Sequence, residues 1–97
     1  MAEGTRKIMK IVCSKLYEAQ LKIILEEILK ESFQSAKNFK LYLDTIIINV
    51  PTKAKKYKTS TLFNDENIKD IEYEGYKIPF FLNIEENIYL ILGIVEK

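Results

Sequence analysis

Four ammonium groups and one phenol fall within six residues at Lys53, Lys55, Lys56, Tyr57 and Lys58. Clustered lysines attract phosphate by charge, and a tyrosine ring offers a face on which a base can stack. A lysine whose pKa is depressed by neighbouring cations also serves as a general base. The same pattern describes an ordinary solvated loop, so both readings stand. A second group lies at Tyr73, Tyr76 and Lys77. Over residues 76–84, alternation puts Lys77 with Pro79 and Phe81, on the face opposite Tyr76, Ile78, Phe80 and Leu82. That position lets the Lys77 ammonium reach a surface groove, or leaves it an exposed lysine beside tyrosines that pack within a sheet.

Other chemistry is narrowed by what the chain lacks. It has no histidine, which removes imidazole acid–base catalysis, a Ser-His-Asp triad and the commonest zinc ligand. Cys13 is the sole cysteine; it excludes an internal disulfide, fits a reducing cytoplasm, and reads as a small buried hydrophobe. Acids at Asp65, Glu66, Asp70, Glu72 and Glu74 lack calcium-loop spacing and form a solvated face or neutralise the lysine loop. No metal or cofactor is expected. The net charge of +1 conceals this segregation and permits a local anionic ligand.

The elements that must position these groups follow from periodicity. Ninety-seven residues make a single domain, and 30% charged residues argue against a membrane protein. Residues 1–8 read as an extension ahead of the domain, a cloning remnant or an upstream start, with no secretory h-region. Residues 8–13 form a first strand. Ser14 caps a helix over 15–30, whose apolar stripe is Tyr17, Leu21, Ile24, Leu25 and Ile28. Ser32 caps a second helix striped by Ala36, Phe39, Leu43, Ile46 and Ile47, and so short a connection makes an antiparallel hairpin. Val50 ahead of Pro51 stops that helix.

Residues 51–67 read as a long polar connection anchored by Leu62 and Phe63. Residues 68–97 then hold three strands with no room for a helix between them, so they pair as an antiparallel meander. Gly75 makes the first turn and residues 85–87 the second. Pro79 belongs at an edge, a bulge or an unpaired position. The apolar run 88–95 is one central strand, with the first strand beside it. The fold class is α+β: an N-terminal strand, a helix hairpin and a meander in one small sheet.

This order resembles the RelE/ParE superfamily of bacterial toxins over residues 9–95. The likeness rests on Ile68-Lys69-Asp70-Ile71, on Tyr76-Lys77-Ile78 and on the apolar residues 88–93, with Lys69 and Lys77 where arginine is usual. The resemblance implies a cytoplasmic toxin of a type II toxin–antitoxin module, active in growth arrest or plasmid stabilisation. Its partner would be a cognate antitoxin that silences it in a hetero-oligomer. ParE-like members inhibit DNA gyrase by protein binding and are not enzymes. RelE-like members are metal-independent endoribonucleases that cut mRNA on the ribosome. On the latter reading Lys53, Lys55, Lys56 and Lys77 would be catalytic, with Tyr57, Lys58, Lys69 and Tyr76 binding. The family's C-terminal catalytic Tyr or His has no counterpart here, and Glu96 stands near its place, which favours the ParE-like reading. A non-toxic interaction module is the third possibility.

Overall fold

A computed structural model describes residues 10–97; the strand expected over 8–13 is therefore seen from Lys10, and the extension over 1–8 lies outside the described residues. Strand β1 (Lys10–Cys13) leads into helix α1 (Lys15–Glu31) through Ser14. The Ser14 hydroxyl accepts from Tyr17 N–H at 3.0 Å and so satisfies one of the free donors of the first turn. Ser32 repeats the device for α2 (Phe33–Ile48), accepting from Ser35 N–H at 3.1 Å. With a single residue between them, α1 and α2 fold back on each other. Tyr17, Leu21, Ala36, Leu43 and Ile47 are buried, as both stripes require.

The second helix does not stop at Val50. It breaks at Asn49, whose side-chain amide donates to Thr45 O at 2.9 Å, and a further turn, α3 (Val50–Lys53), follows at once. Pro51 falls in the first turn of α3, where its missing N–H leaves no bond unmade. A 3₁₀ turn over Ala54–Lys56 and the short strand β2 (Lys58–Thr59) complete a segment expected to be an open loop. Its anchors also differ from expectation. Leu62 and Phe63 are exposed, whereas Val50, Ala54 and Ser60 are buried. Backbone bonds fix this segment: Ser60 N–H donates to Ile68 O at 2.7 Å, and β2 pairs with the next strand.

The meander forms as expected from β3 (Ile68–Tyr73), β4 (Tyr76–Asn83) and β5 (Ile88–Ile91). Glu74 and Gly75 both carry positive φ, 50° and 85°, giving the tight turn whose twist suits a hairpin. The sheet order is β1-β5-β4-β3-β2, with β1 parallel to β5 and the other neighbours on this path antiparallel. The apolar run over 88–95 is not one strand. It breaks after Ile91, and β6 (Val95–Glu96) pairs instead with Tyr76 and Lys77 of β4. Pro79 sits opposite this break, where its lack of an N–H costs no ladder bond; its carbonyl accepts from Leu92 N–H at 2.8 Å.

Helix α1 patches the break. Ser14 Oγ donates to Leu92 O at 2.9 Å, and Gln20 Oε1 accepts from Ile94 N–H at 2.9 Å. Gly93 leaves room for this, since a Cβ there would lie 2.7 Å from Gln20 Oε1. One face of the sheet, carrying Ile71, Ile78, Phe80, Tyr89 and Ile91, packs on the helices to make the core. The register leaves Lys58, Asp70, Glu72 and Lys77 on the opposite, open face.

Candidate functional site

The tight turn at Glu74-Gly75 sets the register that builds the site, because it places Glu72 opposite Lys77 and Asp70 opposite Pro79. The addition of β2 brings Lys58 opposite Asp70 from the other side. Lysines 56, 58 and 77 thus share one cleft of about 380 Å³ with Tyr57, Thr61, Asp70 and Glu72. The Lys77 ammonium donates to Thr61 Oγ1 at 2.8 Å. Asp70 is buried; its Oδ2 accepts from Thr61 N–H at 3.3 Å, while Oδ1 has no hydrogen-bond partner. Glu72 pairs with Lys97 across 2.9 Å, and that ammonium holds its carboxyl below the usual carboxylate range, by hydrogen bond first and charge second.

Of the residues singled out by sequence, Lys56, Tyr57, Lys58 and Lys77 therefore meet at one place. Lys53 and Lys55 do not line the cleft and are exposed on the preceding turns. Lys69 lies on the helix-facing side of β3, its ammonium 3.4 Å from Ala54 O. Tyr76 is on that side too, its ring edge-on to Phe39 at 5.8 Å. Tyr57 also packs edge-to-face with Phe80 of the core, the ring centroids 5.7 Å apart, and burial pushes its phenol up, making it a weaker acid. Among the described residues, no acid of 65–74 forms an ion pair with the loop lysines 53–58; the expected neutralisation does not take that form.

Thr61, Asp70, Glu72 and Lys97 were not singled out as site residues. Two of them, Asp70 and Glu72, had a signal: a two-residue turn at Gly75 already implies that Glu72 faces Lys77, with Asp70 two residues along on the same side. Thr61 had none, because its place depends on the two-residue strand β2. Lys97 had none, because its reach depends on β6 doubling back along β4.

What the cleft offers chemically is fixed positive charge without imidazole. Lysine ammonium groups bind phosphate as point charges and lack the fork of arginine. No group of three or more potential metal-ligating residues occurs among the described residues.

No protein-family model and no curated protein matches the sequence. Solved structures do match in shape. The chromosomal ParDE TA system from P. aeruginosa superposes with a TM-score of 0.72 at 13% identity, covering 91% of this chain and 95% of that one. The toxin–antitoxin complex RelBE2 from Mycobacterium tuberculosis gives 0.56 at 9% identity, over 92% and 98% of the two chains. A mutant of the E. coli toxin RelE, in complex with an antitoxin RelBc peptide, gives 0.56 at 6% identity, over 94% and 85%.

The fold is the RelE/ParE fold.

This RelE/ParE scaffold carries a second concave feature, on the helix hairpin. A groove of about 670 Å³ runs between α1 and α2 over Leu21, Leu25, Leu29, Ala36 and Ile47, with Cys13 and Tyr17 at one end. Cys13 is half-buried, and burial, then Glu18 and Asp44, push its thiol up, away from nucleophilic use. Tyr17 is buried with its hydroxyl unpartnered, and burial raises its pKa as well. No helix among the described residues is long and apolar enough to cross a membrane.

Proposed function

We propose that this chain is the toxin of a type II toxin–antitoxin module, acting in the ParE-like manner by binding DNA gyrase and arresting growth. The observation that carries this reading is the depth of the structural likeness. The TM-score to the ParDE structure is 0.72, against 0.56 for both RelE-containing structures, with nearly all of each ParDE-matched chain covered. The scattering of the lysines supports it, since Lys53, Lys55 and Lys69 stand outside the cleft that a nuclease would need. The apolar groove between α1 and α2 suits a segment of the cognate antitoxin laid across the hairpin. The test is a supercoiling assay: purified protein should block gyrase, and unaffected gyrase at saturating protein would sink the reading.

A second reading is favoured by the meeting of Lys56, Lys58 and Lys77 in one cleft. It is ribosome-dependent cleavage of mRNA, in which those ammonium groups would stabilise the charge of the phosphoryl transition state. Translating ribosomes exposed to the protein should then carry codon-positioned cuts, abolished by Lys77→Ala. Intact mRNA rejects it. Unimpaired growth of a bacterial host on induced expression would leave the non-toxic interaction module.

A further inference from the structure

Opposite charges placed directly across an antiparallel pair ordinarily attract each other. Glu72 and Lys77 are so placed, yet they are not joined. Glu72 Oε1 instead accepts from Lys97 Nζ at 2.9 Å, and Lys77 Nζ turns to the neutral hydroxyl of Thr61. Lys97 can reach because β6 pairs alongside Tyr76 and Lys77, and because Lys97 N–H donates to Gly75 O at 2.9 Å. Asp70 lines the same cleft but makes no ion pair there, one oxygen taking the Thr61 N–H and the other having no hydrogen-bond partner. A hydroxyl satisfies one of the three ammonium donors without cancelling the charge. Among the described residues, Lys77 has no carboxylate in ion-pair contact.

We propose that Lys97 is a positioning residue for the cleft: by holding Glu72 it keeps Lys77 unpaired and open to a phosphate group. The inference rests on the reading of the cleft as a phosphate-binding site, whichever target the protein has. Lys77, steered by Thr61, supplies two free donors, and Lys56 and Lys58 supply further charge from the same cleft. Without Lys97, Glu72 would turn to the cation directly opposite. The order of influences on the Glu72 carboxyl agrees, with Lys97 ahead of Lys77 and Lys58.

The experiment compares wild type with Lys97→Ala, Glu72→Gln, the double variant and Lys77→Ala, using a short labelled single-stranded RNA at low salt as the phosphate-bearing probe. Because the competing pair is exposed, Lys97→Ala should weaken binding by about two- to fivefold. The double variant should recover wild-type affinity, which a merely structural role for Lys97 would not produce. In parallel, NMR of the lysine ammonium groups should show the Lys77 signal following Glu72 titration more strongly in Lys97→Ala than in wild type. Binding that depends on Lys77 yet ignores Lys97 overturns the positioning role while the phosphate site stands. No binding by wild type, or binding indifferent to Lys77, overturns the phosphate site and the positioning role together.

Discussion

At the scale of single residues, the Glu72–Lys97 pair gives the open sheet face a pH dependence with a definite sign. The Lys97 ammonium lowers the Glu72 carboxyl relative to its unfolded value, so the folded chain binds this proton less tightly than the unfolded chain. The stability the pair contributes is therefore complete at neutral pH and fades as pH falls through the folded-state pKa. Wild type and Glu72→Gln should differ slightly in urea midpoint at pH 7, and the gap should shrink as pH falls from the ordinary carboxylate range through the lowered folded-state value. A gap that stays constant as pH falls would assign the effect to packing. Which lysine meets which acid was only half legible. Alternation and the Gly75 turn give the Glu72–Lys77 register, but neither says that a distant lysine displaces the neighbour across the ladder.

The elements were more legible at their starts than at their ends. Ser14 and Ser32 announce both helices, and the apolar stripes they precede are the ones that are buried. The helix break at Asn49 escaped notice because Pro51 is the louder signal, although proline is well suited to the first turn of a new helix. The break in residues 88–95 escaped for a different reason. Leu92 and Ile94 are as apolar as any strand residue, and the bonds that replace the ladder come from Ser14 and Gln20, more than seventy residues earlier. This joint can be tested. Gln20→Leu leaves the Ile94 N–H without a partner and should destabilise the fold by about 1–3 kcal/mol in urea unfolding. Gly93→Ala should cost a similar amount, because its Cβ would meet Gln20 Oε1 and drive the amide away. If both variants unfold like wild type, the joint adds nothing measurable to stability.

For the whole molecule, most of the exposed large apolar side chains among the described residues lie on the helix hairpin. Leu16, Ile23, Leu29, Phe33, Leu41, Tyr42 and Ile48 are all exposed on it. Where such residues form a continuous patch they mark a surface that another protein covers, and on the proposed toxin reading that protein is the antitoxin. Leu29→Glu puts a charge on the rim of the groove at a half-exposed site, so the fold should tolerate it. If the proposed toxin reading holds, co-expressed antitoxin should then no longer relieve growth arrest, while arrest itself persists. Full relief would place the antitoxin elsewhere. The α+β class and the strand, hairpin and meander order could be read from periodicity and turn residues alone. The six-stranded sheet could not, because β2 and β6 are two-residue strands that only pairing defines.

The parallel pairing of β1 with β5 carries one more consequence. Lys10 lies beside Ile88, so the strand made first finds its partner 78 residues later. Contacts this distant in sequence are entropically costly and form late. During synthesis, β1 has no partner strand until β5 has been made, and a product truncated before residue 88 would lack the strand it docks against. The described sheet is therefore closed only once β5, and after it β6, have been made.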